Sequence, residues 1–350
     1  MRTMTRRVLA WIAGLTILAA VAHGLAWWLI GAMVVRGIDA GGPAGETLRH
    51  AGLVRGGWPT RIAVTLERPV LHRPAVGIVP AMTIEAVRAS ATAPLLAPRD
   101  VTAAFACPCR VAFPATPALA PVTVEASRLV LELRLEDGAP PRTWSLTGEA
   151  LAILRGGETV RIRAARLDGA RGDRQEAAQV VALALDDILL GPGAGGPFGR
   201  EIRSVTGEVA VRGTLPPAPD PEASLRAWRE AGGALELRRL AVAWGPLALS
   251  AGATLALDDA LQPEGTGTIR LADWRPTIEA LSRAGLIDRR ASALIGLAFA
   301  ALARPAPGGG PPVVEVPVAL ADRTLAAARF PIARLPEIRW PRGAHPFGSR

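Results

Sequence analysis

Along much of the chain, apolar and polar residues alternate with a period of two. Arg61 to Glu67 is the first clear case. Ile62, Val64 and Leu66 fall on one side, Arg61, Thr65 and Glu67 on the other, and Pro69 follows. A period of two sends successive side chains to opposite faces, so this segment predicts a half-buried strand. Leu129 to Glu136 repeats it, with Leu129, Leu131, Leu133 and Leu135 set against Glu132, Arg134 and Glu136. Val122 and Val124 are a shorter example. The habit recurs over Trp144–Leu146, Val160–Ile162, Val205–Val211, Leu235–Leu237, Leu247–Leu257 and Val313–Leu320. Gly, Pro and Asp turns separate these runs. Many short alternating strands predict a mainly β fold with a few helices (α+β), built on a large twisted antiparallel sheet or sheets.

Three segments break the strand habit. Ala44 to His50 can make a short helix, ended by Gly52. Asp220-Pro221-Glu222 is a helix start, with Asp as the cap and Pro at the first helical position. That helix runs through Trp228 and stops at Gly232-Gly233. Pro276 to Ala303 holds a further helical region, in which Ile278, Leu281 and Leu286 mark one face and Gly285 breaks it in two. Leu294, Leu297, Phe299 and Leu302 fill the second piece. Ala291 to Ala303 is apolar, but it is bounded by Arg289, Arg290 and Arg304 and is shorter than the ~20 residues a membrane span needs. It reads as a buried helix. Gly56-Gly57 and Gly232-Gly233 each follow a short helix and precede a run of strands. That predicts two related halves, residues 44–218 and 219–345, with the later helices near 221–231 and 276–303.

Residues 8–35 contain no charged side chain and one histidine, His23. At ~1.5 Å per residue this stretch reaches ~42 Å as a helix, more than a ~30 Å hydrocarbon core. Trp27 and Trp28 suit an interface. Arg2, Arg6 and Arg7 precede the stretch, while Arg36 and Asp39 after it nearly cancel. The balance makes residues 1–7 a cytoplasmic stub and residues 8–35 a single transmembrane anchor, with the bulk of the chain exported. Ala20-Val21-Ala22 leaves a cleaved signal peptide as the alternative, although the apolar run continues well past it.

Composition narrows the chemistry. The chain has 40 Lys+Arg against 31 Asp+Glu, a net charge of +9, and every one of the 40 is Arg. The arginines are scattered, in no run longer than two. A chain that also avoids Lys, Asn and Tyr shows a codon bias rather than a nucleic-acid footprint. Half the residues are hydrophobic, so this is not a disordered polar chain. Two Cys cannot build a disulfide scaffold or a four-ligand zinc site. Four His with no Lys or Tyr leave a thin inventory for acid–base or covalent catalysis.

The order of several motifs carries a family resemblance. Gly56-Gly57-Trp58-Pro59-Thr60-Arg61 stands ahead of an alternating strand. Gly232-Gly233 is followed by Ala243-Trp244-Gly245-Pro246-Leu247 and Ala253-Thr254-Leu255-Ala256-Leu257-Asp258. A strand–turn–strand over Val316–Leu320 and Leu325–Leu335 closes the pattern. With the N-terminal anchor, this resembles the bacterial family catalogued as domain of unknown function 2125, over nearly the whole chain from Val8 to Trp340. Trp58 stands where Tyr or Phe is expected. The resemblance implies topology and location: a single-pass inner-membrane protein with its bulk in the periplasm. More distantly, the exported strand runs are similar to AsmA-type envelope proteins. That likeness implies a long twisted sheet and a link to lipid traffic between membranes.

Several motifs invite a site and are better explained otherwise. Gly191 to Gly196 fits G-x-G-x-x-G, but Pro192 removes an N–H, Pro197 follows, and the next segment is a strand, so it reads as a hairpin loop. Cys107-Pro108-Cys109 is the only thiol pair. It is a candidate disulfide, with free thiols or a redox or metal role as the other readings. Ser250 lacks the strand-to-helix turn of a nucleophile elbow. Asp186-Asp187 and Asp258-Asp259 read as turn residues at strand ends, and Arg171-Gly172-Asp173 as a surface turn. Trp58, Trp144, Trp244, Trp274 and Trp340 either anchor the core or line an apolar groove open to lipid. No catalytic, cofactor-binding or metal constellation emerges. The expectation is an anchored, exported, non-enzymatic protein whose partners are membrane lipids. A structural adaptor that binds envelope proteins through its sheet edges is the alternative. A redox or hydrolytic enzyme resting on the cysteines is a remote third.

Overall fold

The computed structural model describes residues 45–75, 80–113, 120–136, 139–172, 179–216, 221–305, 310–328, 330–338 and 340. The anchor expected at 8–35 lies outside them, as does the capping Asp220. Among the described residues no helix is long and apolar enough to cross a membrane.

Among the described residues twenty strands join in one antiparallel sheet. From β11 (Ala139–Arg155) onward the chain meanders through β12 (Glu158–Ala170), β13 (Gln179–Leu189), β14 (Glu201–Arg212), β15 (Ala234–Trp244), β16 (Leu247–Leu257), β17 (Pro263–Ala272), β18 (Val313–Ala321), β19 (Thr324–Ala327) and β20 (Phe330–Arg334), each paired with the last. β14 and β15 flank the boundary expected between two halves, yet they pair along their length, so the sheet runs through it unbroken.

Before β11 the strands come in broken pairs. These are β1 (Thr47–Arg49) and β2 (Gly52–Gly56), β3 (Arg61–Glu67) and β4 (Val70–Arg73), and β5 (Met82–Glu85) and β6 (Arg88–Pro94). β7 (Asp100–Ala106) with β8 (Cys109–Ala112) and β9 (Val122–Glu125) with β10 (Arg128–Glu136) complete them. The longer members form one arm, β2-β3-β6-β7-β10, and the shorter ones a second, β1-β4-β5-β8-β9. β11 carries both, pairing β10 through Glu149–Thr143 and β9 through Ala152–Leu154.

The breaks line up into a crease across the strands. It passes His50-Ala51, Arg68-Pro69, Ala86-Val87, Cys107-Pro108 and Ala126-Ser127. It then crosses β11, β12, β13 and β14 as skipped residues, because Ala150, Arg163, Asp187 and Arg203 are left out of register. One unpaired residue bends a strand and adds twist, as a bulge does. Backbone bonds bridge the line, for example Arg68 N–H to Val87 O at 2.9 Å and Ser127 N–H to Glu149 O at 3.1 Å. Ala150 and Asp187 sit there at φ 48° and 49°, a left-handed conformation that costs a residue with a Cβ about 1–2 kcal/mol. Ala150→Gly is therefore expected to raise stability by up to about 1 kcal/mol, after glycine's own entropy cost, read as a higher urea midpoint at unchanged m-value.

Among the described residues three helices attach to the later strands: α1 (Pro221–Glu230), α2 (Trp274–Arg283) and α3 (Arg289–Leu302). Gly285, at φ 72°, separates the last two as its position suggested.

Two sequence expectations fail here. Ala44 to His50 holds no helix: Thr47–Arg49 is strand β1, paired with β4, with Ala44 outside the described residues. A helix of seven residues is marginal alone, and the neighbouring strand offers its backbone ready partners. The helix that was to precede Gly56-Gly57 is thus missing, and the repeat argument loses its first instance. Nor is α3 enclosed. Ile295 and Phe299 pack inward, but Leu294 is 68% and Leu297 72% exposed.

Candidate functional site: a creased apolar sheet face

In an antiparallel ladder, residues directly opposite share a face, so register decides what the sheet presents. Leu131 faces Ala103 on one side and Leu146 on the other. Leu146 faces Leu167, and Leu167 faces Leu183. The row continues through Gly207, Leu240, Ala251, Ile269 and Val316. A parallel row runs from Leu129 through Gly148, Ala165, Leu185, Val205 and Val242 to Val314. A third runs from Val101 through Leu133, Trp144, Gly169, Val181 and Val209 to Val318. All three lie on the same face and contain no charged residue.

The opposite face is polar. Thr102, Glu132, Ser145, Asp168, Ala182 and Glu208 form one of its rows. Its arginines pair in place: Arg166 Nε donates to Asp168 Oδ2 at 2.7 Å, and Arg270 Nε to Glu315 Oε1 at 2.6 Å. The Arg166 guanidinium holds the Asp168 carboxyl below the usual carboxylate range. A shallow depression of about 650 Å³ on this side is lined by Asp100, Glu132, Arg134, Arg166 and Asp168. Two ion pairs cross its floor, Arg134–Asp100 and Arg166–Asp168.

The crease folds the apolar side inward. Leu151 lies beyond it and Gly148 before it, yet a Cβ on Gly148 would stand 2.8 Å from the Leu151 side chain. The core cluster of Leu151, Ile162 and Ile188 collects Ile153, Val160 and Val124 from one wing with Ala165, Leu185 and Val205 from the other. This core is built from the sheet itself. Trp144 lies flat over Gly169, where any side chain would collide with the indole. Over most of the rows the side chains remain partly exposed. At one end helices cover the face, where Trp274 and Ile278 of α2, with Ile295 and Phe299 of α3, pack on Leu271, Val314 and Val316.

The tryptophans separate by role. Trp144 is on the apolar face. Trp274 is buried in the α2–α3 core, edge-on to Phe299 at 5.6 Å between ring centroids. Trp244 ends β15 and holds the β13–β14 hairpin loop, donating to Gly199 O at 2.8 Å with Phe198 edge-on at 5.5 Å. The G-x-G-x-x-G segment is that loop. Trp340 donates to Leu261 O at 2.9 Å, beside a two-way bond between Gln262 and Ile338 that straps the C-terminal segment down. Trp58 is 55% exposed in the turn before β3, outside both core and groove. Trp228 was not among the candidates, yet it is buried on α1 and donates to Arg212 O at 2.8 Å. The signal for it was Gly233, whose Cβ would overlap the ring.

The polar candidates also find places. Ser250 is mid-strand on the polar face, opposite Ala241 and Arg270. Asp258 is a turn residue, accepting from Ala260 N–H and Gln262 N–H. Asp186-Asp187 is not a turn. It lies at the crease, where Arg163 Nε donates to Asp187 Oδ2 at 2.5 Å. Among the described residues no three His, Cys, Asp or Glu gather as a metal site. Arg171 pairs with Glu136, and Asp173 lies outside the described residues.

Cys107 and Cys109 bracket the crease between β7 and β8, with their sulfurs 2.8 Å apart. Cys109 faces Val124 on the apolar side and is buried. Burial, then its hydrogen bond with Cys107, pushes the Cys109 thiol from 9.0 up to about 12. It is protonated at neutral pH, which opposes a role as nucleophile or thiolate ligand. With both thiols reduced, alkylation at pH 8 is expected to reach Cys107 and to spare Cys109 until the protein unfolds. Unfolding frees the Cys109 proton earlier than the native state does. Its contribution to stability is therefore whole below pH 9.0 and falls as the pH rises toward 12, which denaturant titrations at stepped pH would show.

No curated protein matches the chain. Residues 26–336 match the family described as an uncharacterized protein conserved in bacteria (DUF2125). That span takes in every strand and helix of the described residues. With the match over most of its length and the whole sheet inside it, the chain belongs to the bacterial DUF2125 family.

Proposed function

We propose that this is an envelope protein, anchored in the bacterial inner membrane by residues 8–35 with its bulk in the periplasm. In this reading it binds membrane lipid by the acyl chains along its creased apolar face and performs no chemistry on it. One observation carries the proposal: three in-register rows stay free of charge across β10–β18, two of them reaching β7, while the reverse face is polar and ion-paired. At ~4.8 Å per strand, ten strands reach roughly 43 Å. Half of a bilayer core is ~15 Å, so an extended acyl chain has ample length to lie across the strands. Partly exposed aliphatic side chains on so large a face call for a covering partner. The distant likeness to AsmA-type proteins points the same way from strand pattern alone.

The adaptor alternative needs a sticky edge. Among the described residues β20, β1 and β2 each pair on one side alone, and β20 carries Pro331 and Arg334, residues that blunt edge pairing. The test is to purify the full chain in mild detergent and analyse its organic extract by mass spectrometry, beside an unrelated anchored protein. Near-stoichiometric phospholipid above that control supports the reading. Extracts indistinguishable from the control would refute it.

A further inference from the structure

Helix α3 exposes a surface that its composition does not suit to water. From Ala291 to Leu302 it has no charged residue, and a helix apolar on every side is normally enclosed on every side. Here Ile295 and Phe299 lie against the sheet core, and the other side points away from it. At 100° per residue, Arg290, Leu294, Leu297 and Ala301 fall on one outward stripe. On that stripe Leu294 is 68% and Leu297 72% exposed.

Charge decides among the occupants. From Glu279 to Pro305 the chain has four arginines (Arg283, Arg289, Arg290 and Arg304) against two acids, Glu279 and Asp288. All four arginines are exposed. Asp288 is engaged as the cap of α3, accepting from Ala291 N–H at 2.7 Å. A second copy of the chain, docked through the same patch, would set arginine against arginine, since a two-fold interface brings like surfaces together. An anionic bilayer offers the complement instead: leucines enter the acyl boundary while guanidinium groups pair with phosphates.

We infer that the outward face of α3, with its flanking arginines, docks onto an anionic lipid bilayer. The helix packs on β18, and β1 and β2 lie at the far end of the sheet. Twelve strand steps separate β2 from β18 by the longer arm, a contour of roughly 58 Å at ~4.8 Å each. The α3 surface and β1, the first described strand, therefore lie at opposite ends of the strand order. The inference stands on α3 and does not require that the groove hold lipid.

The test inserts the full chain, through its N-terminal apolar segment, into nanodiscs of phosphatidylcholine. These are mixed with separate vesicles, either rich in phosphatidylglycerol or pure phosphatidylcholine, and the vesicles are floated. The wild-type discs are expected to rise with the anionic vesicles only, and less so at high salt. A Leu294→Glu/Leu297→Glu variant should lose at least tenfold in recovery. Arg289→Gln and Arg290→Gln should each lose about fivefold. Because these side chains are exposed, thermal melts should match the wild type, which separates lost docking from lost folding. Equal flotation of wild type and the leucine variant would overturn the inference. So would flotation indifferent to lipid charge, or disulfide cross-links between copies of a Leu294→Cys variant formed without vesicles. Intact flotation with a lipid-free extract would sink the groove reading alone.

Discussion

Placing two carboxylates in the longest leucine row, as Leu167→Glu/Leu183→Glu, should strip the purified chain of phospholipid. The two positions face each other across β12 and β13, and Leu146 and Gly207 stand at either side. An ionised carboxylate laid against hydrocarbon costs on the order of 3 kcal/mol or more, which is over a hundredfold in occupancy for one and more for two. The control is one residue away. Ala182 neighbours Leu183 in sequence but faces Asp168 and Glu208 on the polar side. Shifting by one residue crosses the sheet, so Ala182→Glu should keep its lipid. Both proteins should remain folded by circular dichroism, and their extracts are compared at equal protein.

Trp228→Ala should be the costliest single truncation. The ring is buried on α1, lies over Gly213 and Gly233, and donates to the Arg212 carbonyl. Removing a large buried aromatic typically costs 3–5 kcal/mol, and here a carbonyl also loses its partner. A loss of about 4 kcal/mol is expected, seen as a melting temperature lower by roughly 5–10 °C. Lipid occupancy at low temperature should not change, because Trp228 touches a helix seat and not the rows. Trp244→Ala should do less, since its ring holds an exposed loop.

The alternation along the chain made the strands legible wherever large aliphatic and charged residues took turns. Arg61–Glu67 and Leu247–Leu257 coincide with β3 and β16 to the residue. β6 and β7 were not legible, because RASATAP and DVTAAFA are mostly small residues that carry no period. β17 hid behind Gly265 and Gly267, which read as turn yet sit in register opposite Leu255 and Ala253.

The crease was invisible. Its markers are a Pro69 that looks like a strand end, a Cys107-Pro108 that looks like a motif, and an Asp187 that looks like a turn. Only register shows that they fall on one line. The apolar face was anticipated as a kind of surface, but its residues were not. Of the five candidate tryptophans Trp144 alone lies in the rows, and the face is made by leucine and valine. The exposure of α3 ran against its composition, since an apolar helix predicts burial and sequence holds no record of which side the sheet leaves open.

The most direct test of the central claim is photocrosslinking in cells, one position at a time. A benzophenone side chain at Leu131, Leu167 or Leu183 should capture lipid on irradiation. The same group at Glu132, Asp168 or Ala182, on the reverse face, should capture none. Lipid adducts that follow this alternation would establish the apolar face as the binding surface. Adducts from both faces alike, or from neither, would contradict the account.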